Sequence, residues 1–189
     1  MALLTQKAIL STFSQMLEEM PFDRITVSAL VRRAGVSPNT FYYHYHDIYE
    51  LLDVWFRSVL HSLADFNAPD FSWEDTTCAL LRLFQAHPKT VYHAYDSLSR
   101  DRLERYLFSY TDDIFHQRVS RHAEGRGLTD EQLGQITSFC RCAYVGFLTQ
   151  FLWNRMEPDI DRSVSQFGAL VRNFVVGSVE LFAAQAAAC

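Results

Sequence analysis

TVSALVRRAGVSPNTFYYHY, running from Thr26 to Tyr45, is the stretch that decides the fold. Val27, Leu30, Val31 and Ala34 recur at the i, i+3, i+4, i+7 spacing of a helix that buries one face. Thr26 is placed to cap that helix, its hydroxyl accepting from an orphan N–H, and Gly35 to end it in the left-handed conformation. Ser37 and Pro38 restart the chain as N-cap and first helical residue. In the new helix Phe41 and Tyr45 share one face, with Val36 tucking in from the turn, while Pro38, Asn39, Tyr42 and Tyr43 fall on the other. Two short helices around a glycine turn, the second with polar and aromatic groups outward, are the signature of a helix-turn-helix DNA reader.

The rest of the chain is helical by the same logic. Upstream, Ile9, Phe13, Met16, Leu17 and Met20 form an apolar stripe. Downstream, Ile48, Leu51, Leu52, Trp55, Val59, Leu63 and Phe66 predict a bridging helix from Asp47 to about residue 66, with Asp47 and Glu50 as a D-x-x-E capping box. A turn cluster over residues 67–72 ends at Ser72, a cap for the next helix, and Thr129 with Gln132 makes another capping box. No segment alternates with period two, so strands are not expected. The expected class is all-α: a three-helix DNA-binding domain over residues 1–46 and a larger helical effector-binding and dimerisation domain over 47–189.

With 189 residues and 49% hydrophobic content the chain can bury a substantial core. No run of about 18 apolar residues and no secretory leader is evident, so neither a membrane span nor export is expected, and the cytoplasm is the expected compartment. The four cysteines lack framework spacing and read as reduced thiols. Cys140 and Cys142 point apart on a helix, as do His44 and His46, so no metal site is expected, and no cofactor. The formal charge is −5, and residues 1–52 carry four cations against five acids. DNA affinity must then depend on where individual donors point, and helix N-termini at Thr26 and Ser37 offer N–H groups to phosphates whatever the net charge.

Around the glycine turn, Ala34, Gly35, Val36, Ser37, Thr40, Phe41, Tyr42, His44 and Tyr45 resemble the TetR family of bacterial transcriptional regulators, which commonly reads AGVS, a short variable stretch and an aromatic ending. The resemblance covers the first quarter of the chain by motif. It implies phosphate contact at Tyr42, base contact at Tyr43, and packing or phosphate contact at His44. Many relatives place a Lys at the start of the fourth helix to touch a phosphate, whereas Asp47 and Ile48 stand here, so that contact does not carry over. TFYYHYHDIYELL looks closest to a branch in which a protein partner sometimes takes the effector's place.

The residues themselves fit these roles. Outward tyrosines at 42 and 43 can offer a hydroxyl to phosphate or a ring to a thymine methyl, and Asn39 can present an amide to adenine. Thr40 offers a hydroxyl, and Arg32 and Arg33 can reach phosphates from the end of their helix. In the second domain Tyr92, Tyr95, Tyr106, Tyr110 and Tyr144 bring hydroxyls that a plain core would avoid, which predicts a ligand cavity favouring neutral or cationic compounds. No nucleophile motif, phosphate loop or H-E-x-x-H supports an enzyme. The expected function is a homodimeric regulator that binds a palindromic double-stranded operator, a repressor released by a small-molecule effector. A helical module whose effector is a protein partner is the alternative.

Overall fold

The computed structural model describes residues 2–61 and 72–187. Among them it has nine α-helices: α1 (Ala2–Glu19), α2 (Val27–Ala34), α3 (Pro38–His44), α4 (Ile48–His61), α5 (Trp73–Ala86), α6 (Pro88–Tyr95), α7 (Arg100–Ala123), α8 (Asp130–Trp153) and α9 (Ile160–Ala187). The expected all-helical fold is found. Leu63, Phe66 and the turn at 67–71 lie outside the described residues.

The chain forms two compact units, one of residues 1–71 and 82–100, the other of 72–81 and 101–189. The first unit holds the three reader helices together with α4 and α6. Leu51 and Leu52 of α4 and Ala94 of α6 join Ile9, Phe13, Leu17, Leu30 and Phe41 in one buried cluster. The α6 helix lies along α1, where the His93 Nδ1 is 2.7 Å from the Leu17 carbonyl oxygen. A short 3-10 turn, Phe22–Arg24, links α1 to α2 and buries Phe22 edge-on against Phe13, with centroids 6.1 Å apart.

In the other unit an aromatic cluster holds α5, α7, α8 and α9 together. Trp73 lies about 6 Å from the rings of Phe115, Tyr144 and Phe167. Phe147 stacks on Phe167 at 4.6 Å and Phe139 on Phe174 at 4.0 Å. Cys140 is buried, its thiol pushed up to about 11 by desolvation, whereas Cys142 is exposed. By length and composition α9 could cross a membrane, although no such span is expected from the sequence. Its Val164, Val171 and Val179 are nevertheless buried within the unit, and Arg172, near its middle, pairs with Glu74.

Helix starts follow the sequence closely. Thr129 and Gln132 form the reciprocal capping box, and Ser72 and Asp75 exchange the same pair of bonds at the start of α5. At α4 the expected box is shifted. Asp47 Oδ1 accepts from the N–H groups of Tyr49 and Glu50, both at 2.8 Å, but Glu50 reaches back to the N–H of His46. The Glu50 N–H bond leads the interactions that hold the Asp47 carboxyl below its ordinary pKa. A lowered folded pKa means that the unfolded chain binds the proton more readily, so this stabilisation is present above the ordinary carboxylate pKa and lost as pH falls through the folded value. Asp47→Ala should cost about 1 kcal/mol near neutral pH. Urea denaturation of both proteins should show that difference shrinking in acid, and a difference that widens would contradict the cap.

Candidate nucleic-acid interface

The helix-turn-helix is set by three local devices. Thr26 Oγ1 accepts from the Ala29 N–H at 3.2 Å, opening α2. Gly35, at φ 68° and ψ 30°, closes it in the left-handed region, and its N–H and that of Val36 both donate to the Val31 carbonyl. A side chain at Gly35 would be strained there even though nothing crowds the position. Ser37 Oγ accepts from the Thr40 N–H at 3.1 Å and lies 2.8 Å from the Thr40 hydroxyl, opening α3.

Phe41 is fully buried and Tyr45 nearly so, which fixes the rotation of α3 about its axis. Tyr43 is then 81% exposed and Tyr42 59% exposed. Asn39, Pro38 and Ser37 are exposed beside them, while Thr40 and His44 are half-buried. Tyr42 is propped edge-on against Phe41 at 5.4 Å, and the His44 ring lies edge-on to Tyr43 at 5.0 Å. The two tyrosines are thus braced by their neighbours. The hydroxyls of Thr26, Ser37 and Thr40 are engaged in capping, so what these helix starts hold out to an anion is free backbone N–H.

The two arginines at the end of α2 differ. Arg32 is exposed and has no ion pair among the described residues. Arg33 makes a two-pronged bond to the Glu19 carboxylate of α1, at 2.5 and 2.6 Å, which lowers the Glu19 pKa and raises its own. Arg33 was expected to be a DNA contact, but here it ties α2 to α1, and a phosphate would have to displace Glu19. Arg24, also exposed, stands two residues before the Thr26 cap. A cation just upstream of a helix start is the signal that could have drawn attention to it.

Of the five tyrosines expected to bind an effector, the structure describes the side chains of Tyr92, Tyr95 and Tyr144. Tyr144 is buried in the aromatic cluster, and its hydroxyl lies 3.0 Å from Thr77 Oγ1, which itself donates to the Trp73 carbonyl. It is a core residue whose polar atom is satisfied. Tyr92 and Tyr95 are half-buried on α6, in the unit that contains the reader, with rings 6.5 Å apart. The side chains of Tyr106 and Tyr110 lie outside the described residues. The second unit contains a groove of about 680 Å³ lined by residues of α5, α7 and α9.

Comparison with known proteins agrees with the geometry. Residues 9–54 match the family described as bacterial regulatory proteins, tetR family, and residues 72–173 match a transcriptional regulator C-terminal region. The dhaKLM operon transcriptional activator DhaS of Lactococcus lactis is 27% identical over 81 residues, 43% of each chain. The match therefore spans less than half of that relative's length. Two solved structures share the fold. The dihydroxyacetone kinase operon activator DhaS superposes with a TM-score of 0.62 at 17% identity, covering 95% of this chain and 98% of the other. A TetR transcriptional regulator from Streptococcus agalactiae gives 0.64 at 20% identity, covering 90% and 94%. The chain belongs to the TetR family and is a DNA-binding transcriptional regulator.

Proposed function

We propose that the protein works in the cytoplasm as a homodimeric repressor that holds a palindromic operator and releases it when an effector occupies the second unit. The observation that carries the DNA half is the pair of braced, outward tyrosines on α3. Tyr43 and Asn39 take the base edges; Tyr42, Arg32, Arg24 and the N–H groups at the starts of α2 and α3 take phosphates, with His44 supporting Tyr43. A second reading is favoured by the word activator in the name of DhaS: the dimer would recruit a protein partner and raise transcription. Gel retardation on the DNA flanking the protein's own gene, followed by transcription in vitro from that fragment, decides the sign.

The dimer is supported by exposed apolar residues that a lone chain would not leave in water. Phe139 and Trp153 on α8 are 56% and 66% exposed, and Leu170 and Leu181 on α9 are 68% and 57% exposed. At about 100° per residue, Phe139, Cys142, Gly146 and Trp153 fall on one stripe, and Leu170, Gly177 and Leu181 on another. A Cβ added at Gly146 or Gly177 would meet nothing within 4 Å, which leaves room for a partner's helix. Two readers related by a two-fold axis would sit about 34 Å apart, one turn of DNA.

Tyr43→Ala should weaken operator binding by about tenfold, roughly 1.4 kcal/mol, and relax sequence preference while leaving the fold intact. Tyr42→Phe should lower affinity for operator and random DNA alike. Fluorescence anisotropy on both DNAs reads this, and unchanged binding by both variants would remove α3 from the groove. The double variant Leu170→Glu, Leu181→Glu should run as a monomer by light scattering, and a dimer that survives it would place the interface elsewhere.

A further inference from the structure

The α9 helix turns two opposite faces to different surroundings. At about 100° per residue, Leu170 and Leu181 lie on one side, and Asp161, Ser165, Gly168 and Arg172 on the other. That second side forms the groove, with the first turns of α5 and the C-terminal half of α7. A dimer built on the Leu170 side leaves it open.

The walls of the groove are apolar, from Trp73, Phe115, Val119, Val164 and Val171. Its charges are unequally matched. Arg172 is taken up by Glu74, which crosses α9 where Gly168 has no side chain: a Cβ there would come within 2.9 Å of the Glu74 carboxylate. Arg118, also on the lining, has no ion pair or hydrogen bond among the described residues. Desolvation lowers the pKa of its guanidinium, Glu74 restores part of that, and Arg121 adds repulsion. Arg118 is exposed at the edge of the groove, and Glu74, the acid that acts on it, is already paired with Arg172, which leaves the guanidinium a seat for an anion that brings its own apolar body.

We propose that this groove binds an apolar monocarboxylate, its hydrocarbon or aryl body against Trp73, Phe115 and the α9 valines and its carboxylate on the Arg118 guanidinium. The planar guanidinium fork matches a carboxylate bidentately. A second carboxylate on the ligand would meet Glu74 and Asp161, which disfavours diacids; an amine would meet Arg118. This deepens the effector reading above, on which it rests, and reverses the preference for neutral or cationic compounds that a tyrosine lining would have set.

Calorimetric titration of the full-length, DNA-free protein with octanoate, octylamine and suberate tests it. Octanoate should bind, with octylamine and suberate roughly tenfold weaker or worse. Arg118→Met should weaken octanoate by roughly tenfold, Arg118→Lys should recover part of the loss, and Ser165→Trp, which fills the groove, should abolish binding. Circular dichroism melting confirms that each variant is folded. No heat with octanoate, equal binding by Arg118→Met, octylamine binding as tightly as octanoate, or octanoate still bound by Ser165→Trp would each overturn the assignment. Because no DNA enters the assay, any of these outcomes leaves operator binding by α3 standing.

Discussion

With Phe41 fully buried and Tyr45 almost so, α3 has no freedom to rotate about its own axis, and everything the protein can present to DNA follows from that. A turn of one residue, about 100°, would bring Tyr42 inward and push Phe41 into water. Burying a phenylalanine is worth about 1.5–3 kcal/mol, so the rotated state is a minor one. The caps reinforce this choice. Ser37 fixes where α3 begins, Gly35 fixes the turn before it, and together they leave no register in which the aromatic pair could point elsewhere.

The same core explains why α6 belongs with the reader. Ala94 sits among the residues that also surround Phe13 and Leu17, and His93 reaches the carbonyl of Leu17 in the last turn of α1, where backbone acceptors run out of intrahelical donors. Movement of α6 is therefore felt by α1. The residues of α5 are shared between the two units, with Trp73–Leu81 in one and the remainder in the other. An effector in the proposed groove beside Trp73 would act at the start of this shared helix. To change DNA affinity it must bind one arrangement of that helix better than another, and only the difference counts.

What was legible in the sequence was whatever depends on near neighbours along the chain. Thr26, Ser37, Ser72 and Thr129 cap helices because their partners lie three residues on, and the inward and outward faces of α3 follow from spacing alone. What was not legible depends on contacts between distant segments. Arg33 looks like a free cation until Glu19, fourteen residues away, closes on it. Tyr144 looks like a pocket hydroxyl until Thr77, 67 residues away, satisfies it. Gly168 carries no local sign of the neighbour it admits, which is Glu74 on α5.

Charge draws these threads together. The first 52 residues hold one more acid than base, and Arg33 is occupied, so few cations remain to release counterions from DNA. On the contacts proposed above, affinity comes from geometry: N–H groups at two fixed helix starts, and two tyrosines whose rings are braced by Phe41 and His44 and would lose little freedom on contact. A reader of this kind depends more on alignment than a lysine-rich one does. Its strength lies in short-range contacts, which fail together when a helix shifts by an ångström or two, whereas long-range attraction would tolerate the shift. A weakly basic reader is in this sense well suited to control by a small displacement, because little non-specific attraction remains to hold it on DNA once the contacts are lost.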